Sequence, residues 1–357
     1  MIHLFRPNVG PAEMLAAMKI IRSRWLGEGP QVAKFSERWA AHLGVPAGQL
    51  LPLATASDAL CLTMEMLNVG SGDEIIVPSI HFVGAANAVL RRGATPIFCD
   101  VDAHTLNTDI THVKAKVTGR TRAVMVLHYG GLPCDLNPIQ HLGFPVIEDA
   151  AVAVGASYRG RACGTVADVG LWSFDAMKMM AAGTGGMLWC QDEYWAKRGK
   201  LLSRLGISQQ HGLESDQDQW WAYRLELPGR LSEMNDLTAA MALVQLDKLA
   251  SNLKKRRAIC RYYDSQLRHL VTTPPSIDAP TYYWIQTERR NDLAKFLRQR
   301  DIYTSFRYWP LHWAMNVDEH LPGAEWAARH TLLLPLHSAL TWRQVRTVCT
   351  MVRRFFE

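Results

Sequence analysis

The sequence predicts an α/β protein, with a large domain on a mostly parallel sheet and a smaller α+β domain after it. Three observations carry this. Through the first half, short apolar runs that end in polar residues alternate with stretches of helical period, as parallel strands and crossover helices do. A long helix-rich stretch with a charged middle, 237–267, comes next. Beyond it, strand-like and helical runs return in mixed order. A chain of 357 residues is too long for one small core and suits two domains, taken as 1–250 and 251–357.

Each element follows from its pattern. Residues 12–24 read as an amphipathic helix with Met14, Leu15, Met18, Ile20 and Ile21 near one side. "SDALCLTMEMLN" at 57–68 reads as a second helix with Ser57 as its cap. "EIIVPSI" at 74–80 reads as a buried strand, and "FVGAANAVLRRG" as a helix ending at Gly93. "TPIFCDVD" at 95–102, "RAVMVLHYG" at 122–130 and "PVIEDAA" at 145–151 are further strands. In such sheets ligands gather at the C-terminal strand ends. Later, "TYYWIQT" at 281–287 reads as a strand and "NDLAKFLRQRD" at 291–301 as a helix. "LTWRQVRTVCTMVRRFF" has the helical period, with Thr341 as its cap.

Composition narrows the function. There are 39 basic and 33 acidic residues, for a net charge of +6. The positives are scattered, and the runs "KKRR" at 254–257 and "RRFF" at 353–356 read as solvated helix faces. No nucleic-acid groove is indicated. The seven cysteines are widely spaced and form no CxxC pair, which argues against a disulfide framework or a metal site and for a reducing, cytoplasmic compartment. The N-terminus has no signal-peptide core, and no apolar run approaches a membrane span. Phosphate-loop, GxGxxG, HExxH and GxSxG motifs are absent.

One pair of residues carries chemistry. Lys178 sits among Met, Ala, Phe and Trp in "LWSFDAMKMMAAGTGG" at 171–186. Apolar surroundings favour the neutral, nucleophilic amine over the ammonium; alone, however, the residue reads first as a lysine snorkelling to water. Asp149 follows the strand "FPVI" at its C-terminal end. A carboxylate and a lysine at one rim are what pyridoxal phosphate (PLP) chemistry requires. The alternative is that Glu148 and Asp149 cap a following helix.

The stretch "EDAAVAVGASYRGRACGTVADVGLWSFDAMKMMAAGTGG" resembles the signature of the DegT/DnrJ/EryC1/StrS family of sugar aminotransferases. The resemblance continues, in family order, through "WLGEGPQVAKFSERWAAHLGV", "TASDAL", "GDEIIVPSIHFVGAANAVLRRGATPIFCDVD" and "HYGGLPCDL" upstream, and "AAMALVQLDKL", "RYWPLH" and "LLLPLHSALT" downstream. It covers almost the whole chain. It implies the aspartate-aminotransferase fold (PLP fold type I) and a homodimer with a shared site. It also implies PLP as cofactor, a keto sugar as substrate and an amino acid such as glutamate as amino donor.

Residue by residue, the resemblance implies the following. Lys178 is the Schiff-base lysine and proton carrier, held neutral when free by Met177, Met179, Ala181 and Ala182. Asp149 faces the pyridine nitrogen. Phe82 stacks on the ring, with His81 before it where Thr is usual. Ser57 and Ser173 hold the phosphate, with Ala56 where Gly is common. Val152 takes the place of a Gln or His beside the ring. Leu231 stands where the neighbouring subunit's Asn reaches the phosphate, and Arg230 offers a guanidinium instead. Thr184 replaces Glu in the glycine turn. Tyr308 and His312 are substrate-contact candidates, and Trp309 reads as packing. Family members that dehydrate deoxysugars replace the lysine with His. A PLP-binding subunit without turnover, and a general ligand-binding or regulatory protein, are the alternatives from other classes.

Overall fold

The computed structural model describes residues 1–208 and 221–357. Its main sheet has seven strands: β1 (Leu50–Leu53), β2 (Glu74–Pro78), β3 (Thr95–Cys99), β4 (Thr121–Leu127), β5 (Val146–Asp149), β8 (Val169–Ser173) and β9 (Gly186–Cys190). A small hairpin, β6 (Ser157–Tyr158) and β7 (Arg161–Ala162), lies between β5 and β8. The spatial order is β1-β9-β8-β5-β4-β2-β3. Only β9 runs against its neighbours, so the C-terminal ends of the other six strands share one rim.

The apolar runs at 74–80, 95–102, 122–130 and 145–151 supply β2 to β5. Alternate residues of a strand face opposite sides, and here both faces are buried. Ile75, Val77, Met125 and Ile147 join one core, while Ile76, Val124, Val126 and Val146 join another. Burial on two faces is why these strands read as continuous apolar runs.

Helix ends follow local chemistry. The helix expected at 57–68 is Ala56–Met66, and its cap is Thr55 rather than Ser57. The Thr55 hydroxyl oxygen accepts the Asp58 N–H at 2.9 Å and donates to the Asp58 carboxylate at 2.7 Å. Ser57 therefore lies in the first turn. Thr341 caps Trp342–Phe356 as expected, in a reciprocal capping box with Gln344.

The helix Asp236–Leu267 runs without a break across residue 250. Ala239, Ala242, Leu249 and Leu253 enter a core that contains Phe35, Trp39 and Trp172. Ile259, Tyr263 and Leu267 enter a separate core against β10 (Tyr283–Gln286) and β11 (Thr331–Leu334), an antiparallel pair. Arg256 corrects the reading of "KKRR" as wholly solvated. It is buried, and its guanidinium donates to the carbonyls of Thr281 and Leu336 at 3.1 and 3.2 Å. The N-terminal strand residue Ile2 pairs with Ile302 beside this second core. All seven cysteines are free. Among the described residues no helix is long and apolar enough to cross a membrane.

Candidate active site

Asp149 is the last residue of β5 and is nearly fully buried. One carboxylate oxygen accepts the Ala151 N–H at 2.8 Å, and the other lies 3.6 Å from His81 Nε2. No helix follows β5, so neither Glu148 nor Asp149 acts as a helix cap. Glu148 points to the opposite face, where it accepts three backbone N–H groups and the His128 ring.

Lys178 lies on the connection between β8 and β9. That connection is pinned at both ends: Phe174 N–H donates to Gly185 O at 2.9 Å, and Ala182 N–H to Phe174 O at 2.8 Å. Met179, Met180, Ala181 and Ala182 are buried beneath it. Met177 is 45% exposed and Lys178 is half-buried. The lysine thus stands on an apolar base but opens into a cavity rather than being enclosed by methionines. Gly185, at φ +116°, closes the turn. A Cβ there would come within 2.9 Å of Thr238 Cγ2, and that φ already favours glycine. Thr184 donates its hydroxyl to Ala54 O at 3.0 Å, tying the turn to the end of β1.

The cavity holds ≈ 320 Å³. Lys178 and Asp149 line it together with Ser57 and Ser173, and Phe82 and Tyr308 form an aromatic wall. Those two rings stand 6.1 Å apart at 61°. The Tyr308 hydroxyl meets that of Tyr282 at 3.1 Å. Ala56 also lines the cavity, since it begins the helix whose first turn faces inward. First-turn N–H groups have no intrahelical acceptor, a feature that favours an anion beside them.

Three expected site residues stand outside the cavity lining. Val152 is 1% exposed and packs into the core of the sheet. Arg230 pairs with Glu65 at 2.6 Å, while Leu231 beside it is exposed. His312 is fully buried, with Nδ1 2.6 Å from the Ser79 hydroxyl; it braces the loop after β2 instead of facing the cavity. Trp309 is 57% exposed and packs on Trp313 at 5.1 Å.

An amine, a carboxylate at a strand end, and a helix N-terminus with two serine hydroxyls are the donor set that PLP needs for its aldehyde, its ring nitrogen and its phosphate. The residues present fit that group. The DegT/DnrJ/EryC1/StrS aminotransferase family model matches residues 7–353. The chain belongs to that family. PLP is therefore its cofactor, and the enzyme is an aminotransferase of the α/β class expected.

Among its relatives, the "dTDP-4-dehydro-2,3,6-trideoxy-D-glucose 4-aminotransferase" of Saccharopolyspora spinosa is 41% identical over 100% of this chain and 97% of its own. The spore coat polysaccharide biosynthesis protein SpsC of Bacillus subtilis is 33% identical over 97% of this chain and 95% of its own. The crystal structure of the aminotransferase TlmJ from Streptoalloteichus hindustanus superposes with a TM-score of 0.93 at 43% identity, covering 99% of this chain and 98% of that one.

Sequence reasoning missed Arg307 and Thr55 as cavity residues. Arg307 adjoins Tyr308 in "RYWPLH", and the adjacency was the available signal. Its guanidinium lies over the Phe5 ring at 4.8 Å. In the sequence His81 shows only as a departure from the family, and its approach to Asp149 comes from the fold.

Proposed function

We propose that the enzyme converts the keto group of a nucleotide-linked sugar into an amine, with an amino acid such as glutamate as donor. The observation that carries this is the meeting of Lys178, Asp149 and the Ala56–Met66 helix start in one cavity. The name of the S. spinosa relative supports a dTDP-linked 4-keto deoxysugar as the substrate class.

When bound, PLP supplies an electron sink that lets a C–H bond beside the amino nitrogen break. The chain's residues do the rest. Lys178 Nζ would hold the cofactor and, once the amino donor has freed it, would accept the proton that leaves the substrate carbon. The Asp149 carboxylate would keep a proton on the ring nitrogen. The first-turn N–H groups, Ser57 and Ser173 hold the phosphate. Phe82 would pack on the cofactor ring, and Tyr308, in the same aromatic wall, would orient substrate. His312 acts on substrate only through the loop it braces.

The core built from Ile2 and residues 259–352 would form the small domain over this cavity, with Asp236–Leu267 as a stiff link. The protein would work as a cytoplasmic homodimer with a shared site. There Arg230 would leave Glu65 to reach the phosphate of the opposite subunit. Lys178 speaks against dehydration, for which the family uses His.

The test is a two-step incubation. Glutamate should convert the PLP enzyme to its pyridoxamine form and release 2-oxoglutarate. A dTDP-linked keto sugar should then regain the PLP form and yield the amino sugar. No pyridoxamine form with any amino donor would overturn the reading.

A further inference from the structure

His81 lies in the loop after β2 and is fully buried. Its Nδ1 stands 3.3 Å from Phe82 O, and its Nε2 stands 3.6 Å from Asp149 Oδ2. Nε2 is buried with no closer hydrogen-bond partner. A buried polar atom without a partner is costly, so native structures supply one.

The chemistry of the pair decides which nitrogen carries the hydrogen. Burial pushes the His81 imidazole below its usual range, against the opposing pull of the Asp149 carboxylate. The ring is therefore neutral and has one hydrogen to give. Either tautomer leaves one bare nitrogen facing an oxygen, Nδ1 at the Phe82 carbonyl 3.3 Å away or Nε2 at the Asp149 carboxylate 3.6 Å away, and the charged oxygen repels a lone pair more strongly. A carboxylate is also a stronger acceptor than the Phe82 carbonyl. The hydrogen belongs on Nε2. The segment after β5 offers no side chain for the same task, since it runs Ala150, Ala151, Val152, Ala153.

We propose that His81 is a positioning residue: its Nε2–H fixes the second oxygen of Asp149, while the Ala151 N–H fixes the first. The carboxylate plane is then set from both sides before the cofactor enters, which lowers the ordering cost of binding. This rests on the reading of Asp149 as the partner of the PLP ring nitrogen.

Two full-length variants and one spectrum test it. His81→Leu keeps bulk and removes the donor. Its dissociation constant for PLP should rise about ten-fold, and kcat should fall with the KM for the amino donor unchanged. His81→Gln places an N–H close to that of the histidine and should restore most of both losses. If Leu and Gln behave alike, His81 is only packing and the proposal fails. The ¹⁵N spectrum of histidine-labelled wild-type apoprotein should show His81 Nε2 as protonated, and a bare Nε2 overturns the proposal even if a variant does not fold. Should wild-type protein bind no PLP, the enzyme reading fails, and the spectrum still decides the state of His81.

Discussion

Glu148→Gln changes no volume, so its cost is one of hydrogen bonding alone. The Glu148 side chain is fully buried. One oxygen accepts Val166 N–H at 2.6 Å and Ala167 N–H at 2.5 Å; the other accepts Gly164 N–H at 2.8 Å and the His128 ring at 2.9 Å. His128 cannot retreat. Its Nδ1 accepts the Cys134 N–H at 3.0 Å, so its hydrogen stays on Nε2. Whichever way the glutamine amide turns, its NH₂ faces two donors. Two buried donors without acceptors cost about 1–3 kcal/mol each, so the variant loses about 2–6 kcal/mol. With about 2.1 cal/mol/K of unfolding entropy per residue, a chain of 357 residues should melt about 3–8 °C lower. Thermal melting of apoprotein followed by circular dichroism measures this. A midpoint within about 1 °C of wild type would refute the view that this carboxylate ties the 163–167 turn beneath the site.

Three other outcomes follow from the same structure. Asp149→Asn keeps shape but lacks a carboxylate for the ring nitrogen; kcat should fall about 10²–10³-fold with an unchanged circular dichroism spectrum, and retention of a third of the activity would remove Asp149 from the chemistry. Gly170→Ala should destabilise the protein by about 3 kcal/mol or more, because its Cβ would stand 1.7 Å from Gly164 O; soluble protein with wild-type melting would contradict that packing. His337 is pushed down to about 4 by burial and the Arg256 charge, from an ordinary 6.5. The unfolded chain takes the proton first, so stability present above about 6.5 is lost as pH falls toward about 4. His337→Gln should flatten the fall of melting temperature over that window, and an unchanged slope would show that His337 does not contribute.

The legible parts of the fold were those with a one-dimensional signal. β2 to β5 announced themselves because both faces are buried and each run ends in polar residues at the rim. Thr341 announces its helix as a hydroxyl residue just before the helical period. Asp149 and Lys178 could be paired because each has a distinct chemistry and strand ends collect ligands. β8 and β9 carry no separate signal, since their Trp and Met residues merge with the apolar segment around Lys178. Ser57 was misplaced as a cap because Thr55, two residues earlier, offers the same hydroxyl. Arg256 looked solvated because nothing in "KKRR" reveals two carbonyls waiting in the interior. The approach of His81 to Asp149 depends on β2 and β5 flanking β4, a product of sheet order that local pattern does not contain. Val152 and His312 stand at family site positions, and position in a motif does not report a side chain's direction.

The central claim is that Lys178 is the covalent anchor of PLP at a working transaminase site. Borohydride reduction of the PLP-loaded enzyme, followed by peptide mass mapping, tests it most directly. The cofactor mass should appear on the peptide containing Lys178, and pretreatment with an amino donor should abolish that labelling. An unmodified Lys178, or label on another lysine that the donor leaves untouched, would contradict the account.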